Sequence, residues 1–150
     1  MKSHIRNLVS MEAAVAARMV GALMQELSPG YETDEVVMAE TARALLGQGR
    51  IVGLLAWDGD DPVGVLMLNE CAALSAGGLF GEITELYVRP SHRSRGIAAQ
   101  MVARARDLAK ARGWKRLEVG APEEQAWART KSFYEREGFV EVGPRLKCAV

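Results

Sequence analysis

Glu82-Ile83-Thr84-Glu85-Leu86-Tyr87-Val88-Arg89-Pro90-Ser91-His92-Arg93-Ser94-Arg95-Gly96-Ile97-Ala98-Ala99 is the stretch that decides the fold. Its first part is rich in β-branched and aromatic residues and continues a strand that starts at Phe80, runs to Val88 and stops at Pro90. After Gly96 the period changes. Ile97, Met101, Ala105, Leu108 and Ala109 recur at helical spacing, so a helix is expected over about 96–112, ended by Gly113. A strand therefore passes through a short loop into a helix whose first N–H groups are unpaired and carry partial positive charge. Gly96 would let a ligand come close to that backbone, and Arg93 and Arg95 add positive charge. These features describe a phosphate or pyrophosphate site, although no Gly-x-x-x-x-Gly-Lys-Ser/Thr or Gly-x-Gly-x-x-Gly accompanies them.

Working outward, strands are expected at His4 to Leu8, Ile51 to Trp57 and Val63 to Cys71, the last two forming a hairpin about the turn 58–62. Helices are expected from a Ser10 cap through Met11 to Leu27, and from Thr33 or Asp34 to Leu46, ended by Gly47. Beyond the long helix come a strand at Arg116 to Val119, a helix at Glu124 to Arg136 stopped by Gly138, and strands at Phe139 to Val142 and Cys148 to Val150. This order is mixed α/β, with a central, partly antiparallel sheet flanked by about four helices, read as one domain over 1–150.

The 150 residues are 49% hydrophobic and 25% charged, which excludes a disordered or collagen-like chain. The 19 basic and 19 acidic residues cancel, so no net field draws the chain to nucleic acid or an anionic membrane. The charge is nevertheless segregated along the chain. Arg89 to Arg116 holds nine basic residues and only Asp107 as an acid, a net of +8 against −8 elsewhere. Aromatic residues are not interleaved with Arg104, Arg106, Lys110 and Arg112, which argues against a nucleic-acid surface. Cys71, Cys148, His4 and His92 are isolated, so neither a disulfide framework nor a metal site is expected. Glu12 and Arg18 interrupt the apolar run 8–24, so a membrane span or signal peptide is not expected and a cytoplasmic location is. His92 is read as solvent-facing, and Trp57, Trp114 and the methionines of the first helix as packing residues.

Leu86-Tyr87-Val88-Arg89-Pro90-x-x-Arg93-x-x-Gly96-x-Ala98 resembles the acetyl-CoA motif of the GNAT superfamily of N-acetyltransferases. Phe133-Tyr134-Glu135-Arg136-Glu137-Gly138-Phe139 is similar to that family's second signature, in the expected order. The resemblance covers nearly the whole chain and implies the GNAT fold and an N-acetyltransferase. Such an enzyme takes acetyl-CoA as co-substrate and a small-molecule or peptide amine as acceptor, by direct attack through a tetrahedral intermediate. It implies that the backbone at Leu86 and Val88 pairs with the pantetheine arm. The backbone of Arg93, Ser94, Arg95, Gly96, Ile97, Ala98 and Ala99 would cradle the pyrophosphate, and Tyr134 would protonate the departing thiolate. Trp127 stands where members often have Asn, and Thr130 where many have Ala. A polar contact to the pantetheine arm is thereby lost, and Trp127 would pack against the arm instead. Members often dimerise, so a homodimer is a further implication.

The reaction also needs a base, because a lysine-like amine is neutral in only about one molecule in 10³ at pH 7. Glu82, Glu118 and Glu85 are the candidates in that order, Glu82 and Glu118 at positions matching family glutamates, with a water chain as another route. Regular alternation puts Glu82 and Glu85 on opposite faces of their strand, and only a bulge would bring both to the acceptor. The region expected to line the acceptor site contains Glu26, Glu32, Asp34 and Glu35, which would suit a cationic acceptor or simply complement a helix start. A non-catalytic acyl-CoA-binding module is the alternative. Tyr134 and the strand glutamates favour the enzyme.

Overall fold

The computed structural model describes residues 3–120, 127–143 and 145–150. Strands β1 (Ser3–Asn7), β2 (Ile51–Asp58), β3 (Asp61–Ala73), β4 (Gly78–Val88) and β5 (Leu117–Val119) form one sheet in sequence order. The first four are antiparallel, and β4 pairs with β5 in parallel. Helices α1 (Ala13–Leu27) and α2 (Glu35–Gly47) precede β2, α3 (Ile97–Ala111) joins β4 to β5, and α4 (Ala128–Arg136) follows.

Each sheet face has its own apolar cluster. On one face Leu55, Val65, Met67 and Tyr87 pack with Ala16, Met19 and Val20 of α1. On the other, Leu54, Leu66, Leu68, Ile83 and Val88 pack with Ile97, Met101, Val102 and Ala105 of α3, joined by Trp114 and by Tyr134 of α4. These assignments follow from the alternation of side chains along each strand. The methionines behave as expected except Met11, which is almost fully exposed in a 3-10 turn.

Three local expectations change. Helix α1 starts after Glu12 rather than after a Ser10 cap, and Glu12 stands at its N-cap position without a side-chain cap bond. Ser10–Glu12 is a 3-10 turn, and the Glu12 carboxylate accepts from Val9 N–H (3.1 Å) and Arg6 Nη1 (3.0 Å). Asp34 caps α2 as expected, accepting from the N–H groups of Val36 and Val37 at 3.0 and 3.1 Å.

The second change concerns the C-terminal residues. No strand forms at Phe139–Val142 or Cys148–Val150 among the described residues. Phe139 is drawn into the ring cluster of Tyr134 instead, and Val140 and Val142 lie exposed with no neighbouring strand to complete a ladder. The expected start of the last helix at Glu124 lies outside the described residues.

The third change decides the site. Met67 faces Glu85 but Leu68 faces Ile83, so Thr84 is an extra residue in β4. Such a bulge breaks the alternation. Ile83, Leu86 and Val88 all reach the α3 side, whereas Tyr87 packs on the α1 side. Glu82, opposite Asn69, and Glu85, opposite Met67, therefore share the α1 side with Tyr87.

Close approach explains one glycine in this region. A Cβ on Gly81 would lie 2.4 Å from two Trp114 ring carbons and 2.9 Å from Leu117 Cδ2. Gly81→Ala should therefore lower stability by about 1–3 kcal/mol. Gly47→Ala, with nothing within 4 Å, should not. Equal urea midpoints for Gly81→Ala and wild type would contradict this packing.

Candidate active site

Pairing between β4 and β5 covers only Gly81 to Ile83. Beyond it the β4 edge is open among the described residues. Arg89 N–H donates to Val63 O (2.9 Å), so the backbone of Tyr87 and Arg89 turns toward β3, and that of Leu86 and Val88 turns toward the open edge. This is the geometry an extended chain needs to add as a further strand.

The edge leads into the loop before α3. Ser94 (φ 62°) and Gly96 (φ 80°) are both left-handed. For serine this conformation costs of order 1 kcal/mol, and it curves the backbone into a concave turn. The first helical bond is Gln100 N–H to Gly96 O (3.0 Å), so the N–H groups of Ile97, Ala98 and Ala99 emerge from the helix end without an intrahelical partner. Where Gly96 would carry a Cβ there is space, the nearest atom being Gln100 Nε2 at 4.0 Å. Buried Ile97 anchors the helix start in the core, while Ser94 and Arg95 are exposed. The open edge and this cradle together fit a long ligand with a phosphate end.

Arg93 does not supply the free charge expected of it. Its Nε donates to Val88 O (2.8 Å), its Nη2 donates to both Glu26 oxygens (2.7 and 3.0 Å), and its guanidinium lies over the Tyr87 ring. The ion pair ties α1 to the loop. Much of the basic segment is paired in the same way with acids far away in sequence. Arg89 meets Asp61 (2.9 Å), Arg112 meets Glu70 (3.9 Å), and Arg104 donates to Ile5 O (3.0 Å). His92, expected in solvent, is mostly covered, with Nε2 2.9 Å from Asp58 Oδ2 and Nδ1 2.8 Å from Ser91 Oγ. A turn pinned at both Arg89 and His92 fixes where the cradle begins.

All three candidate glutamates lie on one face of the sheet. Glu82 and Glu118 are register partners, and Glu85 follows past the bulge. Their partners differ. Glu82 accepts from Arg145 Nη2 (2.7 Å), and Glu118 accepts from Arg116 Nε (2.6 Å). Glu85 is half-buried and is bonded by the neighbouring Thr84 hydroxyl. Loss of solvent pushes its carboxyl up, the Thr84 bond opposes this, and nearby Glu82 adds to the rise. Its buried neighbour Tyr87 is also pushed up, mainly by loss of solvent and then by Glu26, against the pull of Arg93.

Tyr134 is buried between the edges of the Phe133 and Phe139 rings, with centroids 5.2 and 5.4 Å away, and desolvation pushes its phenol up strongly. Trp127 is the half-buried residue that opens α4. Of the acidic residues expected near the acceptor, Glu26 is taken by Arg93 and Asp34 by its capping role. Glu32 contributes to an open groove with Gln25, Gly30, Tyr31 and Thr33. Tyr87, Glu26 as the partner of Arg93, and Arg145 were not legible as site residues. An apolar spacing of three between Ile83 and Leu86, where a regular strand would give two or four, was the available signal for the bulge.

A family model described as the acetyltransferase (GNAT) family matches residues 18–139. Solved structures share the fold across almost the full length. A ribosomal-protein-alanine N-acetyltransferase from Brucella melitensis biovar Abortus 2308 superposes with a TM-score of 0.79 at 22% identity, covering 100% of both chains. An aminoglycoside acetyltransferase from an uncultured soil metagenomic sample gives 0.81 at 22% identity, covering 100% of this chain and 99% of that one. A GCN5-related N-acetyltransferase from Ralstonia eutropha JMP134 gives 0.80 at 21% identity, covering 99% of each. No curated protein matches the sequence. Among the described residues no helix is long and apolar enough to cross a membrane.

The raised Glu85 carboxyl has a consequence for stability. The folded state disfavours its ionised form, so its contribution is most favourable at low pH and is lost as pH rises through the raised value. Glu85→Gln should gain little melting temperature over wild type near about pH 4 and more near about pH 8. A difference that shrinks with rising pH would contradict the assignment.

Proposed function

The chain belongs to the GNAT acetyltransferase family, and from that premise we propose that it moves an acetyl group from acetyl-CoA to a primary amine of a small molecule or peptide. The observation that carries this is the bulge at Thr84, which brings Glu85 beside Glu82 and Tyr87 next to the open backbone edge. Leu86 and Val88 at that edge would hold the pantetheine arm, and the cradle from Arg93 to Ala99 the pyrophosphate. The cradle acts through its backbone and the helix dipole, because the Arg93 side chain is committed to Glu26. Acetyl-CoA supplies an acyl group already activated as a thioester.

The remaining work belongs to this chain. The α1 side of the sheet, with its carboxylates, receives the amine. Glu85 takes the amine proton, directly or through a water. Its raised carboxyl makes it a stronger base than an ordinary glutamate, and among the described residues no ion pair holds it as Arg145 holds Glu82 and Arg116 holds Glu118. The order of preference among the three glutamates is thus changed in favour of Glu85. A backbone N–H at the open edge donates to the oxygen as it gains charge. Tyr134, kept protonated by burial, would hydrogen-bond the leaving sulfur as it gains charge, although the same burial makes it a weaker acid than an ordinary phenol. Trp127 at the head of α4 would pack along the arm.

Thiol release from acetyl-CoA across a panel of primary amines tests this. Wild type should turn over at least one amine, and Tyr134→Phe should lower kcat by about 10²-fold. Gly96→Glu should keep the fold while losing acetyl-CoA affinity, since the side chain would fill the cradle from a left-handed backbone. Tight acetyl-CoA binding with no turnover on any amine would favour a non-catalytic module instead, and normal affinity in folded Gly96→Glu would refute the cradle.

A further inference from the structure

Residues 139–150 contain no helix or strand among those described, yet one side chain of this arm returns to the candidate site. Arg145 donates to Glu82 Oε2 at 2.7 Å, and its guanidinium lies against Gly120 beyond the end of β5, 3.6 Å from where a Cβ would stand. Glu118 and Cys71 are close enough to act on its charge. We infer that Arg145 is a specificity-determining residue, an internal cation seated where Glu82 would otherwise neutralise a second positive charge on the acceptor. This rests on the acceptor side assigned above.

The physical case lies in the asymmetry of the three carboxylates. Glu118 is served from its own strand approach, by Arg116 two residues away. Glu85 is the desolvated one and forms no ion pair among the described residues. Glu82 takes its partner from 63 residues further along the chain. That partner is cheap to displace. The Arg145 side chain is 59% exposed, and the arm is held near its root by Phe139 in the Tyr134 ring cluster and further out by the exposed pair Lys131–Glu141 (3.0 Å). Exposed pairs of this kind shift an equilibrium by up to about fivefold. An acceptor that carries a second ammonium group can take Glu82 by pushing Arg145 aside, while a monoamine has nothing to place there. The class of acceptor favoured is therefore a diamine or a lysine-like chain with a second cation, and Arg145 is the competitor that sets its apparent affinity.

Steady-state transfer to cadaverine and to pentylamine, at saturating acetyl-CoA, distinguishes the outcomes. In Arg145→Ala the KM for cadaverine should fall by up to about fivefold with kcat unchanged, and the KM for pentylamine should stay the same. Arg145→Lys, which keeps the charge, should resemble wild type. A cadaverine KM that rises or does not change in Arg145→Ala, or one that falls equally for pentylamine, overturns the inference while leaving the acetyltransferase assignment intact. If no protein acetylates either amine although acetyl-CoA is turned over on another acceptor, the inference also falls. Absence of turnover on every amine removes it together with the proposed function.

Discussion

One extra residue in one strand sets the geometry on which the candidate site depends. Were Thr84 to take a regular place in the ladder, alternation from Ile83 would drive the Glu85 carboxylate into the apolar layer against α3 and turn Leu86 and Val88 away from it. Burying an unpaired carboxylate there costs far more than one disturbed rung of the β3–β4 ladder. With Thr84 bulged out of the ladder, Ile83, Leu86 and Val88 stay in the core, and Glu82, Glu85 and Tyr87 turn to the opposite side. The same segment keeps its outer edge free because β5 pairs with β4 only as far as Ile83. The apolar demand of the α3 core, the acidity of the acceptor side and the open backbone edge thus meet within six residues.

The charge distribution takes on a different meaning in three dimensions. The basic segment from Arg89 to Arg116 and the acidic remainder suggest in sequence a positive field around the cradle. In the folded chain many of these charges meet each other: Arg89 with Asp61, Arg93 with Glu26, Arg112 with Glu70, Arg116 with Glu118. These pairs are partly exposed and individually weak. What the first two accomplish is placement, since they tie the cradle to the β2–β3 turn and to the end of α1. On the proposed function, anion recognition falls mainly to the backbone of the Arg93–Gly96 loop and the first turn of α3, where the helix end supplies positive potential.

Local signals carried most of the fold. Periodicity, glycine stops and the Asp34 cap located the helices α1 to α3 and the first four strands to within a few residues. The motif around Gly96 located the cradle, and its left-handed φ of 80° is the reason glycine stands there. What was not legible depended on partners distant in sequence. His92 is covered because Asp58 lies on a strand paired nearby, and Arg93 is occupied because α1 ends beside it. Phe139 to Val142 has a strand's composition but no strand beside it, and composition cannot supply a partner. The proposed preference for Glu85 among the three glutamates likewise rests on partners that sequence does not display. Only the structure shows which of them already has a cation.

The central claim is that the bulge creates a desolvated base in Glu85, and the pH dependence of kcat/KM tests it most directly. For wild type the acid limb should titrate above the ordinary glutamate range, because burial raises the carboxyl that must be ionised to accept the amine proton. Glu85→Gln should lose that limb along with most of its activity. A wild-type limb retained unchanged in an active Glu85→Gln enzyme would contradict the account and place the base elsewhere on that face.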